Sequence, residues 1–184
     1  MNPLIIVLVV MLLPIIVGIL IYNALVAQKN RVDNGWAQID TQLQRRYDLI
    51  PNLVETVKAY AKHEAEVFEK VARARAGMER AQTIGEKAEA DNVLAGTLKT
   101  LFAVSEAYPE LRANQNFKDL QVELTNTENK VAFARQYYND NVARFNTAIE
   151  KFPHVIIAKM MNYASREFFT TSSMSVRETP KVSF

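Results

Sequence analysis

Residues 4–21 form an uninterrupted apolar run, in which Pro14 and Gly18 are the only weak helix formers. Eighteen helical residues span roughly 27 Å, close to the hydrocarbon thickness of a bilayer. No basic residue precedes the run, and residues 25–27 make a poor cleavage site, so a retained anchor is favoured over a cleaved signal peptide. We therefore predict a transmembrane anchor over residues 1–27.

The basic residues nearest the anchor all follow it. Lys29, Arg31, Arg45 and Arg46 come after the apolar run, whereas the N-terminal side carries no Lys or Arg. The positive-inside bias then predicts a single-pass protein with its N-terminus outside and its large domain in the cytoplasm.

Beyond the anchor, apolar residues recur in steps of three and four, which indicates helices. Helix 1 carries Val32, Trp36, Ile39 and Leu43 and is expected to continue the anchor. The pattern predicts helix 2 over residues 51–82, helix 3 over 86–108 and helix 4 over 117–149, with Pro153 as the stop. Helix 4 is the most regular, and its seam residues are Phe117, Leu120, Leu124, Thr127, Val131, Ala134, Tyr138, Asn141, Phe145 and Ile149.

Residues 45–53 read as a corner between helices 1 and 2. Asp48 is suited to capping a helix start, Pro51 fits a first helical turn, and Arg45 and Arg46 suit a last turn. A second corner is predicted at residues 108–117, where Pro109 precedes a polar run.

These elements predict an all-α protein whose N-terminal transmembrane helix continues into a long antiparallel four-helix bundle, residues 28–153. In that topology both corners lie at the membrane-distal tip, while residues 83–85 and 154–169 lie beside the membrane. The apolar segment 154–169 has three interpretations: a cap on the bundle core, a contact between subunits, or an amphipathic segment at the lipid interface. Residues 170–184 are expected to form a flexible polar tail.

The composition gives little support for catalysis. The chain has no cysteine, which excludes disulfides and thiolate chemistry. A zinc-binding helix would need a second histidine four residues after His63, but residue 67 is Val. A di-iron bundle would need a Glu three residues before each histidine, but these positions are Tyr60 and Lys151. A net charge of +2 with interspersed signs argues against nucleic acid. We predict no enzyme activity, cofactor or metal.

Two motifs carry a resemblance to a known family. They are Trp36-x-x-Ile39-Asp40-x-x-Leu43-x-Arg45-Arg46-x-Asp48-Leu49-Ile50-Pro51-Asn52-Leu53-Val54 and Tyr108-Pro109-Glu110-Leu111-x-Ala113-Asn114. With them the sequence resembles the LemA family over nearly its whole length. The resemblance implies a single-span membrane protein with a helical-bundle domain, no established catalytic activity or cofactor, and a role in envelope or membrane organisation. With this resemblance, the expected location is the bacterial inner membrane. After Pro153 the chain departs from the family's Gly- and Phe-rich stretch and has Met160-Met161-Asn162-Tyr163 instead.

The leading hypothesis is a membrane-anchored interaction scaffold with coiled-coil-like packing and an unidentified protein partner. Its candidate partner contacts are Arg45, Arg46, Asp48, Asn52, Glu110 and Asn114. The alternatives are a homo-oligomeric membrane-remodelling assembly and an accessory protein of a membrane protease. Candidate membrane-proximal or subunit contacts are Val155, Ile156, Met160, Met161 and Phe168.

Overall fold

The computed structural model of the chain describes residues 3–170, of which 85% are helical, and no β-strand occurs among them. The helices are α1 (Pro3–Lys58), α2 (Ala65–Arg80), α3 (Ile84–Glu106), α4 (Pro109–Ala113), α5 (Gln115–Glu150) and α6 (His154–Met160). The all-α class is confirmed. The expected flexible tail lies, from residue 171 onward, outside the described residues.

The predicted corner at residues 45–53 is wrong, because α1 is one helix from Pro3 to Lys58. Asp48 caps nothing there; its carboxylate accepts a hydrogen bond from Gln44 Nε2, one turn earlier, at 2.8 Å. Pro51 removes only the N–H that would bond to the carbonyl of Tyr47. Tertiary burial of the helix outweighs these local stop signals.

That burial follows a single stripe along the C-terminal part of α1. Its residues are Ile39, Leu43, Arg46, Ile50, Leu53 and Val57, all 4% exposed or less. The steps alternate between four and three, so the stripe keeps to one face of an unbroken helix. A corner at residues 45–53 would have split this face in two.

Helix 2 was predicted to begin at residue 51, whereas α2 begins at Ala65, after a break at residues 59–64. The end of α2 and the bounds of α3 and α5 lie close to the predicted ones and have local causes. Thr83 caps α3 in a capping box with Glu86, which stops the chain from continuing α2. Asn114 accepts a hydrogen bond from the N–H of Phe117 at 3.0 Å and so starts α5. The α5 helix keeps its three-four seam to Glu150, and Pro153 precedes α6.

The described chain divides into two compact units. Unit 1 comprises residues 3–38 and 134–167, and unit 2 comprises residues 39–133 and 168–170. In unit 1 the close approach of α1 and α5 depends on Gly35, where an added Cβ would lie 3.2 Å from the Cα of Tyr138. This packing explains a glycine that the helical pattern alone would disfavour.

Within unit 2, side-chain contacts give the relative directions of the helices. Tyr47 lies against Arg75, and Phe68 lies against Lys58, so α1 and α2 are antiparallel. The ion pairs Asp40–Lys87 and Arg46–Asp91 make α1 and α3 parallel. Phe102 of α3 packs edge-on against Phe117 near the start of α5.

Candidate functional site

The N-terminal part of α1 exposes apolar side chains on all of its faces. Its exposed large residues are Leu8, Val10, Met11, Leu12, Leu13, Ile15, Ile16, Val17, Ile19 and Leu20. The exposure ends near Tyr22, because Ile21 and Leu25 are buried. Within residues 3–170, α1 is the one helix long and apolar enough to cross a membrane. A soluble protein would rarely leave so continuous an apolar surface uncovered.

Arg46 is buried at the centre of unit 2. Its side chain is 2% exposed, and Nη1 lies 2.5 Å from Asp91 Oδ1 of α3. Its Nη2 lies 3.2 Å from Glu128 Oε2 of α5. One guanidinium therefore joins three helices that are far apart in the sequence. The prediction that Arg46 offers a surface contact is wrong, because its charge is used inside the unit.

The neighbouring candidates on α1 are exposed. Arg45 forms an ion pair with Glu123 of α5 and is about half exposed. Asp48 and Asn52 are exposed on the same face, which also holds Thr41 and borders a shallow groove. This polar face of α1, residues 41–52, keeps three of the six predicted partner contacts together.

The corner before α5 contacts the turn at residues 59–64, and not residues 45–53 as predicted. Asn114 Nδ2 donates to the hydroxyl of Tyr60 at 3.0 Å, and the Tyr108 hydroxyl donates to Glu64 Oε1 at 3.2 Å. Partial burial and the Glu64 carboxylate raise the pKa of Tyr108. The tip of unit 2 therefore consists of residues 59–64 and 107–114, and Asp48 lies ten helical residues, about 15 Å, before the end of α1.

The two remaining candidates at this tip have different environments. Asn114 is half-buried, and both ends of its amide make structural hydrogen bonds. Glu110 is exposed on α4. Of the two predicted contacts at the tip, Glu110 is therefore the one whose side chain is exposed to a partner.

In unit 1, the chain after α6 is held against α5 by an asparagine. Asn146 Nδ2 donates to the carbonyl of Arg166 at 2.9 Å, and its Oδ1 accepts from the Arg166 N–H at 2.8 Å. The Tyr138 hydroxyl donates to the carbonyl of Glu167 at 2.8 Å, and burial raises the pKa of Tyr138. Arg166 also reaches Asp33 of α1 at 3.2 Å.

Most of the predicted membrane-proximal contacts are exposed. Ile156, Met160, Met161 and Phe168 are between 39% and 73% exposed, and Val155 is half-buried. The predicted segment is buried mainly through Ala158 and Phe169. The exposed side chains therefore do not serve as core, which leaves the subunit and lipid interpretations as expectations.

Sequence reasoning missed the partners that give this arrangement its specificity. None of Asp91, Glu128, Tyr60 and Glu64 was predicted as a contact partner, because their contacts join residues 44 to 82 positions apart. One signal was available: a charged Arg46 at a seam position of α1 implies a buried carboxylate partner. Among the described residues, no group of three His, Asp or Glu side chains could hold a metal ion.

Comparison with known proteins gives consistent results. The sequence profile of the LemA family matches residues 35–184. Magnetosome protein MamQ of Magnetospirillum gryphiswaldense is 24% identical over 174 residues, which covers 80% of this chain and 64% of that protein. Magnetosome proteins MamQ 1 and MamQ 2 of Paramagnetospirillum magneticum are similar to the same extent. The chain spans about 64% of the length of the curated relatives it matches.

Proposed function

The chain belongs to the LemA family, and on that premise we propose that it is a membrane-anchored, non-catalytic interaction protein that helps to organise a membrane or envelope. Several relatives are named magnetosome proteins. For this chain we infer the more general role, a helical protein that presents a contact surface from a bilayer.

The observation that carries this proposal is the composition of α1. Its N-terminal half exposes large apolar residues on every side, while its C-terminal half supplies the buried stripe of unit 2. A single helix therefore contains both the lipid-facing segment and part of the folded core. Insertion of the apolar half in a bilayer would fix the point at which the folded chain emerges.

We propose that unit 2 is a four-helix bundle formed by parts of α1, α2, α3 and α5. The alternating directions support it, since α2 opposes α1, α3 follows α1, and α5 begins at the tip and returns past Arg46. Bundles of this up-down-up-down kind present long helix faces to partners.

The polar face of α1, residues 41–52, is the proposed partner surface, with Glu110 of α4 as an outlying contact. Its side chains are exposed, of mixed charge, and not needed for the core. The absence of cysteine makes the test direct, because one introduced thiol is unique. We expect Asn52→Cys, carrying a photoactivatable crosslinker in cells, to form a protein adduct. Gln121→Cys, exposed on α5, is the matched control.

Adducts formed equally by both variants, or by neither, would contradict the proposed surface. The same variants report the side of the membrane. With the large domain in the cytoplasm, a membrane-impermeant maleimide should label neither thiol in intact cells and both after lysis. Labelling in intact cells would reverse the proposed orientation.

A second candidate function is homo-oligomeric membrane remodelling. It is favoured by the exposed apolar side chains on and beside α6, where Phe152 is 81% and Ile156 51% exposed. Detergent-solubilised protein should then form oligomers that Ile156→Ser/Met160→Ser converts to monomers. A wild-type chain that is monomeric by native mass spectrometry at micromolar concentration would exclude this candidate.

A further inference from the structure

Unit 1 contains a cavity of about 530 Å³ that neither the polar face of α1 nor the proposed anchor uses. It lies between α1, α5 and the start of α6. Its lining residues include Gln28, Arg31, Asn141, Arg144, Lys151 and His154. The volume is within the range of small-molecule and headgroup sites.

The charge of the lining is one-sided. Arg31, Arg144 and Lys151 contribute three cations, and no Asp or Glu lines the cavity. Within residues 3–170 none of the three forms an ion pair, whereas nearby Lys29 and Arg166 both pair with Asp33. All three residues are exposed, so their positive charge is open to an anion that enters the cavity.

Two buried polar atoms of the lining residues have no hydrogen-bond partner among the described residues. Among the residues described, four buried side-chain atoms lack a hydrogen bond, and Gln28 Oε1 and His154 Nδ1 are two of them. Both residues line this cavity. Such atoms carry a desolvation cost unless a ligand or water bonds to them. A neutral imidazole nitrogen and an amide oxygen both accept hydrogen bonds from hydroxyl groups.

The cavity also follows the apolar part of α1 at a short distance. Gln28 is six residues beyond Tyr22, and Arg31 is nine residues beyond it, so they lie about 9 and 14 Å further along the helix. The headgroup layer extends roughly 5–8 Å beyond the hydrocarbon on each side. Long Arg and Lys side chains bridge the remaining distance by extending toward the interface.

We propose that this cavity binds the headgroup of an anionic phospholipid, with the phosphodiester between Arg31, Arg144 and Lys151 and headgroup hydroxyls on Gln28 and His154. Phosphatidylglycerol has this chemistry, since one phosphodiester charge is followed by two hydroxyls. The inference rests on the proposed membrane anchoring, because a lipid source requires α1 to be inserted.

The test uses the full chain in nanodiscs containing phosphatidylglycerol and phosphatidylcholine. After mild detergent extraction, native mass spectrometry counts the lipids retained on each protein. Wild type should retain phosphatidylglycerol preferentially, and Arg144→Gln/Lys151→Gln should reduce that retention about tenfold. The matched control is Arg135→Gln/Lys159→Gln, which removes two cations of unit 1 outside the cavity and should keep at least half of the wild-type retention.

Each further outcome is decisive. Equal losses in both double variants would mean general surface attraction and overturn the site. A second outcome is that millimolar inorganic phosphate releases the bound phosphatidylglycerol while the two double variants still differ as expected. This would assign the cavity to a soluble anion and overturn the lipid source. Vesicle flotation of every variant tests the anchor separately: flotation with no lipid preference defeats this inference alone, and loss of flotation defeats the proposed function.

Discussion

Arg46 offers the sharpest test of how unit 2 is held together. Replacing it with methionine keeps an unbranched apolar stem but removes the guanidinium from a site where the side chain is 2% exposed. Asp91, itself 8% exposed, then loses a charged partner at 2.5 Å. Loss of one member of a buried ion pair typically costs about 3–5 kcal/mol. We therefore expect Arg46→Met to lower the free energy of unfolding by about that amount.

The two carboxylates of this cluster should respond unequally. The side chain of Glu128 is 51% exposed and lies 3.2 Å from Arg46, so Glu128→Gln should cost at most about 1 kcal/mol. Replacing both residues, Arg46→Met with Asp91→Leu, removes the buried carboxylate as well. The double variant should then be within about 2 kcal/mol of wild type and more stable than Arg46→Met.

The assay is chemical unfolding of the full chain in detergent, followed by circular dichroism at 222 nm. Unit 2 contains the whole of α2 and α3 and the first half of α5, so its loss changes the helical signal strongly. The reasoning is refuted if Arg46→Met costs less than about 1 kcal/mol, or if the double variant is less stable than Arg46→Met. Either result would mean that the guanidinium is solvated rather than paired in the folded protein.

Three smaller predictions use the same unfolding assay. Gly35→Ala should destabilise the chain although alanine is the better helix former, because the added Cβ would lie only 3.2 Å from the backbone of α5. Gly96→Ala has open space around it and should stabilise the chain by up to about 1 kcal/mol. Equal effects of the two substitutions would contradict the close packing. Asn146→Ala removes two bonds to residue 166 and should cost about 1–2 kcal/mol, with new protease sensitivity after α6. The hydrogen bond from the backbone N–H of Thr83 holds the pKa of Glu86 below its ordinary value. The carboxylate therefore stabilises α3 fully at any pH above that ordinary value, and this stabilisation is lost as the pH falls through the lowered pKa. Glu86→Gln should make the stability depend less on pH in the acid range.

The sequence predicted the elements whose signals are purely local. The three-four seam of α5 and the break between helices at residues 83–85 were recognisable because each depends on neighbouring residues alone. The end of α1 was not, because Asp48 and Pro51 give strong local stop signals while the opposing cause is burial by residues far away in the chain. Apolar Ile50, Leu53 and Val57 continue the stripe only if the charged Arg46 is accepted as one of its members.

The same limit applied to the candidate site. Arg45, Asp48 and Asn52 are exposed, as a partner contact requires. Sequence reasoning could not separate them from Arg46, because the burial of Arg46 depends on Asp91 of another helix. The basic cavity of unit 1 could not be predicted from the sequence either. Its walls come from residues 28–31 and 141–154, and no spacing rule connects two segments more than a hundred positions apart.

Pro51 has a consequence for how α1 opens. The helix is continuous there, yet the carbonyl of Tyr47 accepts no helical hydrogen bond, because proline at residue 51 has no N–H to donate. The two turns from residue 52 to Lys58 are therefore joined to the preceding turns by one hydrogen bond fewer than in a helix without proline. Amide exchange should detect this as a boundary, with residues 52–58 opening together with the tip turn while the amides around Leu43 stay protected.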